Sequence, residues 1–171
     1  MACRGSNPVG MTIDLADLAA EAGIRRALYR YCRGVDRGDA DMIASAYHDN
    51  ADENHGAFHG TGREFAEHLV PLMDKAPENS GHHITNVLID RTGDAANVES
   101  YFIAFHAQDD GGRAFVTGRY LDRFACRNGA WKIVRREVVI DSDSPATKRM
   151  DLSAYPRGGR READPSHGWI R

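Results

Sequence analysis

The residues best equipped for acid–base chemistry fall in two segments, Tyr31-Cys-Arg-Gly-Val-Asp36 and Gly81-His-His-Ile-Thr-Asn86. Asp36 directly follows the apolar residue Val35, which places its carboxylate at the edge of a buried face. A carboxylate in that position is costly to bury without a partner. A histidine is the natural one, because a carboxylate bound to one ring nitrogen fixes the tautomer and favours proton uptake at the other. Strand alternation separates the two adjacent histidines: His82 shares a face with Ile84, Asn86 and Leu88, and His83 shares one with Thr85, Val87 and Ile89. Both faces carry apolar residues, so periodicity leaves open which histidine points inward. His106, on the face of Val98, Ser100, Phe102 and Ala104, is a further candidate. A structural, hydrogen-bonded histidine is the competing reading for each.

Other polar groupings are weaker. His48 with Asp49, and Asp52 with His55 and His59, form a cluster that does not match a zinc motif such as H-E-x-x-H. Loop polarity or the lining of a pocket mouth accounts for it better than a metal. Arg135-Arg136 straddles the two faces of one strand, so at most one of these side chains enters the interior. The strand aromatics, Phe102 and Tyr120 among them, have the spacing of core residues that can also line an aromatic substrate site, and Tyr47 has the same double reading.

The elements that must position these groups follow from periodicity. Ile24, Leu28, Tyr31 and Val35 form one apolar stripe, extended back through Leu15, Leu18 and Ala22, which predicts a helix ending near Gly34–Gly38. Asp39 or Asp41 is placed to cap a short second helix carrying Met42, Ile43, Ala46 and Tyr47. Residues 51–60 read as a small hairpin or loop. Thr61-Gly-Arg-Glu64 has the form of a capping box and opens a third helix, which Pro71 should bend. From Gly81 the period changes to two, with strands expected over 82–90, 96–108, 113–126 and 131–140 and a hairpin at Asn128-Gly129. Helices followed by consecutive antiparallel strands define an α+β domain, and strands this long should twist and curl. Helices across the concave side would enclose a cavity.

Length and composition agree. At 171 residues, with 42% hydrophobic and 27% charged, the chain suits one domain over residues 12–141. Residues 1–11 read as a disordered leader, and residues 142–171 as a polar tail wrapping the domain or a neighbouring subunit. A net charge of -3 recruits neither nucleic acid nor an anionic membrane, and no run approaches the roughly 20 apolar residues of a membrane helix. Three cysteines without C-x-x-C spacing fit a reducing, cytoplasmic setting.

Five segments together resemble the SnoaL-like branch of the nuclear transport factor 2-like superfamily: residues 24–39, 47–51, 81–86, Gly118-Arg-Tyr-Leu-Asp122 and Gly129-Ala-Trp-Lys-Ile133. The resemblance implies a cone-shaped, curled antiparallel sheet on N-terminal helices, a deep pocket, and a homodimer or homotrimer. Within it, the patterns of hexachlorocyclohexane dehydrochlorinase and bile acid 7α-dehydratase pair an aspartate ending the first helix with a histidine opening the sheet. Their Gly-Val-Asp falls on Gly34-Val35-Asp36, and their His-x-x-Thr-Asn on His82, Thr85 and Asn86. The likeness therefore selects His82 over His83, and the bile acid pattern adds Tyr31. Scytalone dehydratase, more loosely similar, has a second histidine whose counterpart is His106. The resemblance implies a cofactor-independent lyase or isomerase acting on a hydrophobic small molecule, with His82, Asp36 and Tyr31 catalytic. The substrate pocket would be lined by Tyr47, His55, Phe102, His106 and Tyr120. Carbon–carbon cleavage releasing a small aldehyde, or a non-catalytic binding or assembly subunit, are the alternatives the same fold allows.

Overall fold

A computed structural model describes residues 15–75, 80–107, 113–144 and 153–156, with isolated positions 162, 165, 167 and 168 beyond. The apolar stripe becomes helix α1 (Leu15–Arg37), which buries Ile24, Leu28, Tyr31 and Val35, but its expected extension through Leu15, Leu18 and Ala22 lies exposed, because the first turns of the helix project beyond the sheet they would pack on. Gly34 lies against α2 so closely that a Cβ there would meet the Ile43 backbone nitrogen at 2.7 Å. Asp39 caps α2 (Ala40–Ser45), its carboxylate accepting from the Met42 N–H at 2.9 Å. Helix α3 (Gly62–Met73) opens on the expected capping box, with Thr61 and Glu64 bonded reciprocally.

The second helix is shorter than its pattern predicts. It ends at Ser45, and Tyr47 instead begins strand β1 (Tyr47–His55), which turns at Gly56 into β2 (Phe58–Gly60). The physical reason lies in the partner. β1 runs parallel to the last strand, with Tyr47 opposite Ile133 and Glu53 opposite Arg136, and burial on that strand outweighs local helix preference. The expected strands follow as β3 (Gly81–Thr92), β4 (Ala95–Ala107), β5 (Arg113–Arg127) and β6 (Ala130–Asp143). The β5–β6 turn has Asn128 and Gly129 at φ of 54° and 76°, the left-handed pair a tight hairpin requires.

The resulting sheet has six strands in the order β2-β1-β6-β5-β4-β3 and is not closed. Register shifts at Ile84/Val87, Thr117/Gly118 and Arg123/Phe124 break the regular ladders, as bulges do where strands bend. The helices pack on one face, burying Val98, Phe102, Tyr120, Phe124, Ile133 and Val138 with the α1 stripe. The fold is α+β, as its patterning implies. Among the described residues, no helix is long and apolar enough to cross a membrane.

Candidate active site

Asp36 sits in the last turn of α1, and Gly81–His82 open β3 directly beside it. The Asp36 carboxylate receives three hydrogen bonds. The His82 ring nitrogen Nδ1 lies 2.6 Å from Oδ1, the His82 backbone N–H donates to Oδ2 at 3.0 Å, and the Ser80 hydroxyl donates to Oδ1 at 3.1 Å. Both side chains are nearly enclosed, at 10% and 14% exposure. Burial disfavours the charged carboxylate. The bonds from His82 and Ser80 outweigh that penalty, and Asp36 titrates below its ordinary value. With Nδ1 committed to Asp36, the ring's Nε2 makes no hydrogen bond among the described residues.

The two adjacent histidines part company, as strand alternation requires. His82 stands opposite the buried Ala104, whereas His83 is exposed and stacks on Phe105 at 5.9 Å. His106 meets His82 edge to face at 5.3 Å. Burial and then the neighbouring His82 drive its imidazole down to about 4, with His55 acting in the same sense.

Behind the dyad lies a sealed aromatic wall. Tyr31 is 1% exposed, with its ring centroid 5.6 Å from Tyr120 and 6.0 Å from Tyr47. Phe102 stacks on Tyr120 at 4.6 Å. Burial holds the Tyr31, Tyr47 and Tyr120 phenols well above their ordinary value, so all three stay protonated. The Arg136 guanidinium lies 4.2 Å from the Tyr31 ring centroid and 4.1 Å from that of Tyr120. It bonds both oxygens of Asp122 at 2.7 Å, and neither partner is exposed. Burial opposes the Arg136 charge, but Asp122 keeps it fixed; burial likewise pushes the Asp122 carboxyl up against the pull of Arg136.

Of the residues singled out in the sequence, the structure joins Asp36, His82 and His106 and buries Tyr31, Tyr47, Phe102 and Tyr120 as core rings. His55 stands on the inner face of β1, its Nδ1 2.9 Å from Glu53 Oε1, stacked on Phe65 at 4.5 Å. His59 and Asp52 pair on the outside of the same hairpin at 2.6 Å, and His48 bonds the Ala125 carbonyl. Among the described residues, no group of three or more potential ligands is placed to hold a metal ion. The sequence reading passed over Glu53 and Asp122 and left Arg136 undecided between two faces. Arg136 is the inward residue of its pair, and Arg135 lies out at 51% exposure. The period of two in β1 and β6 was the available signal. A separate groove of about 640 Å³ runs along the outer side of α1 between Arg25, Arg26, Tyr29, Arg30 and Arg33, and none of the acid–base groups lines it.

Helices laid on an open sheet, with an aspartate–histidine pair where the first helix meets the third strand, define the class: a small α+β domain with a hydrogen-bonded, nearly enclosed carboxylate–imidazole pair. The chain belongs to the SnoaL-like domain family, whose model matches residues 16–137. Among curated proteins, none matches it. Solved structures share the fold. A protein assigned as a scytalone dehydratase from Novosphingobium aromaticivorans is 23% identical, with a TM-score of 0.73 over 85% of this chain and 97% of that one. A hexachlorocyclohexane dehydrochlorinase, LinA-type3 from Novosphingobium barchaimii, is 21% identical, with a TM-score of 0.70 over 82% and 99%. LinA itself is 22% identical, with a TM-score of 0.70 over 80% and 95%.

Proposed function

We propose that the protein is a cofactor-independent lyase of the dehydratase kind, or an isomerase, in which His82 is the general base. The observation that carries this reading is the 2.6 Å bond between His82 Nδ1 and Asp36, in a nearly enclosed setting that leaves Nε2 uncommitted. A base held in one tautomer with its free nitrogen directed away from its partner needs no reorganisation when it takes a proton. An imidazole removes a proton readily only from carbon beside an electron-withdrawing group. By likeness to the family, the substrate is a hydrophobic small molecule, aromatic, steroid or polyketide-like, and the base requires it to carry such a group. Tyr31, kept protonated by burial, is the donor that polarises the substrate oxygen once the substrate displaces the packing that leaves its ring 1% exposed. The elimination chemistry in the names of the dehydratase and dehydrochlorinase neighbours supports the same class.

The test is turnover of a panel of eliminable compounds, including scytalone and hexachlorocyclohexane, by the native protein and by His82→Ala and Asp36→Asn. A positioned base contributes about 10²–10⁴-fold, and His82→Ala is expected to lose that much with its circular dichroism unchanged. Tyr31→Phe loses less. Full activity in either dyad variant on a substrate that the native protein converts would sink the assignment.

A further inference from the structure

The side of α1 turned away from the sheet carries a pattern that the fold itself does not use. Leu15, Ala22 and Tyr29 recur at intervals of seven residues, and Leu18 follows the first of them by three. In a helix that spacing gathers all four along one seam. The seam is open to solvent: Leu15 is 84% exposed, Leu18 52% and Tyr29 53%, and Ala22 is exposed with them. None of the four belongs to the buried core. From Leu15 to Tyr29 the row runs about 21 Å, at 1.5 Å per residue. Single apolar side chains at a surface are ordinary, whereas a contiguous apolar patch rimmed by polar residues marks an interaction site.

Arginines flank the row. Arg26 and Arg33, again seven residues apart, are exposed, and their side chains make no hydrogen bond or ion pair among the described residues. Arg30 gives Nε to the Ser45 hydroxyl at 3.0 Å and keeps its two terminal nitrogens without a bond among the described residues. Arg25 differs, being closed onto Glu21 at 2.8 Å. The groove of about 640 Å³ between these arginines also takes in Ala22, Tyr29 and Met42. This side of α1 is therefore locally cationic, although the whole chain carries a net charge of -3.

The two features together select one occupant. The apolar row needs a second apolar row of the same period, and the arginines need carboxylates beside it; an acidic amphipathic helix supplies both. A nucleic-acid strand would satisfy the arginines but has no aliphatic groups to cover Leu15 and Leu18. A second copy of this chain would cover the leucines, but its own α1 offers the arginines more arginine, and its Glu21 is already held by Arg25.

We infer that the outward side of α1 is a docking surface for an acidic amphipathic helix of a partner protein. The partner's apolar row covers Leu15, Leu18, Ala22 and Tyr29, and its carboxylates meet Arg26, Arg30 and Arg33. The surface does not depend on the reading of His82 as a base.

The experiment titrates the full chain into a fluorescein-labelled peptide of about three heptads, with leucine at a and d and glutamate at e and g, followed by fluorescence anisotropy. Native protein is expected to bind with micromolar affinity that weakens as salt rises, because the charges are exposed. Arg26→Glu combined with Arg33→Glu weakens binding about tenfold or more, since two attractions become repulsions. Leu18→Ser combined with Tyr29→Ser weakens it as well and leaves its salt dependence in place. All four positions are exposed, so both double variants should keep the native circular dichroism. Arg135→Glu, a charge reversal on β6, should bind as the native protein does. Absence of binding, equal binding of a peptide with lysine at e and g, or unchanged binding in either double variant overturns the inference. Tighter binding of a single-stranded oligonucleotide of the same charge overturns it in favour of nucleic acid. A native homo-oligomer that dissociates on sedimentation of the Leu18 and Tyr29 double variant overturns it in favour of a second copy.

Discussion

Two of the carboxylate–nitrogen pairs in this molecule, Asp122–Arg136 and Asp36–His82, are built to opposite ends. Asp122 and Arg136 have no exposure, bond through both oxygens, and lie between the rings of Tyr31 and Tyr120. Asp36 and His82 keep 14% and 10% exposure, and the imidazole has one nitrogen to spare. A guanidinium with both forks engaged does not release its proton. An imidazole with one side engaged exchanges one readily. The sealed pair is fixed among the aromatic rings; the Asp36–His82 pair, nearly enclosed, keeps one ring nitrogen uncommitted.

The hardest test of that difference is Arg136→Met, which strands Asp122 without a partner. Removing one member of a buried pair costs about 3–5 kcal/mol, and the midpoint of urea unfolding should fall accordingly. Adding Asp122→Leu should restore much of the loss, since it removes the stranded charge. Asp36→Asn, in contrast, should abolish turnover with a far smaller change in that midpoint. If the two variants destabilise equally, the contrast between the pairs fails.

A second test is acid titration. Folded His106 titrates at about 4 against 6.5 in the unfolded chain. Between those values the unfolded chain binds a proton that the folded one does not, so stability falls as pH drops from 6.5 towards 4. The full effect is on the order of 3 kcal/mol, at 1.36 kcal/mol per pKa unit. Asp36, depressed, adds a further loss only as pH falls through its own lower range. Unfolding midpoints measured across this window should slope steeply in the native protein and less in His106→Phe. Equal slopes would mean that the open end of the interior does not exclude protons from this ring.

The smallest expected effect comes from Thr61→Ala. It removes one half of the capping box on α3, the helix that brings Phe65 under His55. A loss of about 1 kcal/mol is expected in thermal unfolding. A larger one would show that α3 braces the His55 side of the interior beyond its own helical stability.

How much of this was readable beforehand depended on how local the signal was. The Ile24–Val35 part of the α1 stripe, the Thr61 capping box and the Asn128-Gly129 hairpin each depend on a few neighbouring residues, and each formed as its pattern implies, whereas Leu15 and Leu18, expected to extend the stripe, lie exposed. The pairing of Asp36 with His82 was legible because each lies at the boundary of a strongly periodic element. Periodicity could not choose between His82 and His83, since both faces of β3 carry apolar residues; the family likeness chose His82, and its bond to Asp36 and pairing with the buried Ala104 turn it inward. Strand β1 was legible only in part, its second half falling in the small hairpin or loop expected over residues 51–60. Its sequence, Tyr47-His-Asp-Asn-Ala-Asp-Glu-Asn-His55, has the composition of a loop, and it becomes a strand because β6 lies alongside. Glu53 was lost with it, because charged residues are almost never fully buried unless paired, and its partner His55 lay within that strand.

The pairing of β1 with β6 also sets an order on how the chain is made. Asp36 and His82 both leave the ribosome well before Tyr47 can find Ile133 or Arg136 can find Asp122, because the last strand emerges late. Contacts so distant in sequence form slowly, and the edge of β1 stays unpaired until then. The nascent chain therefore carries its acid–base residues before it owns the interior that shelters them, and its period of greatest exposure to aggregation ends only with the synthesis of β6.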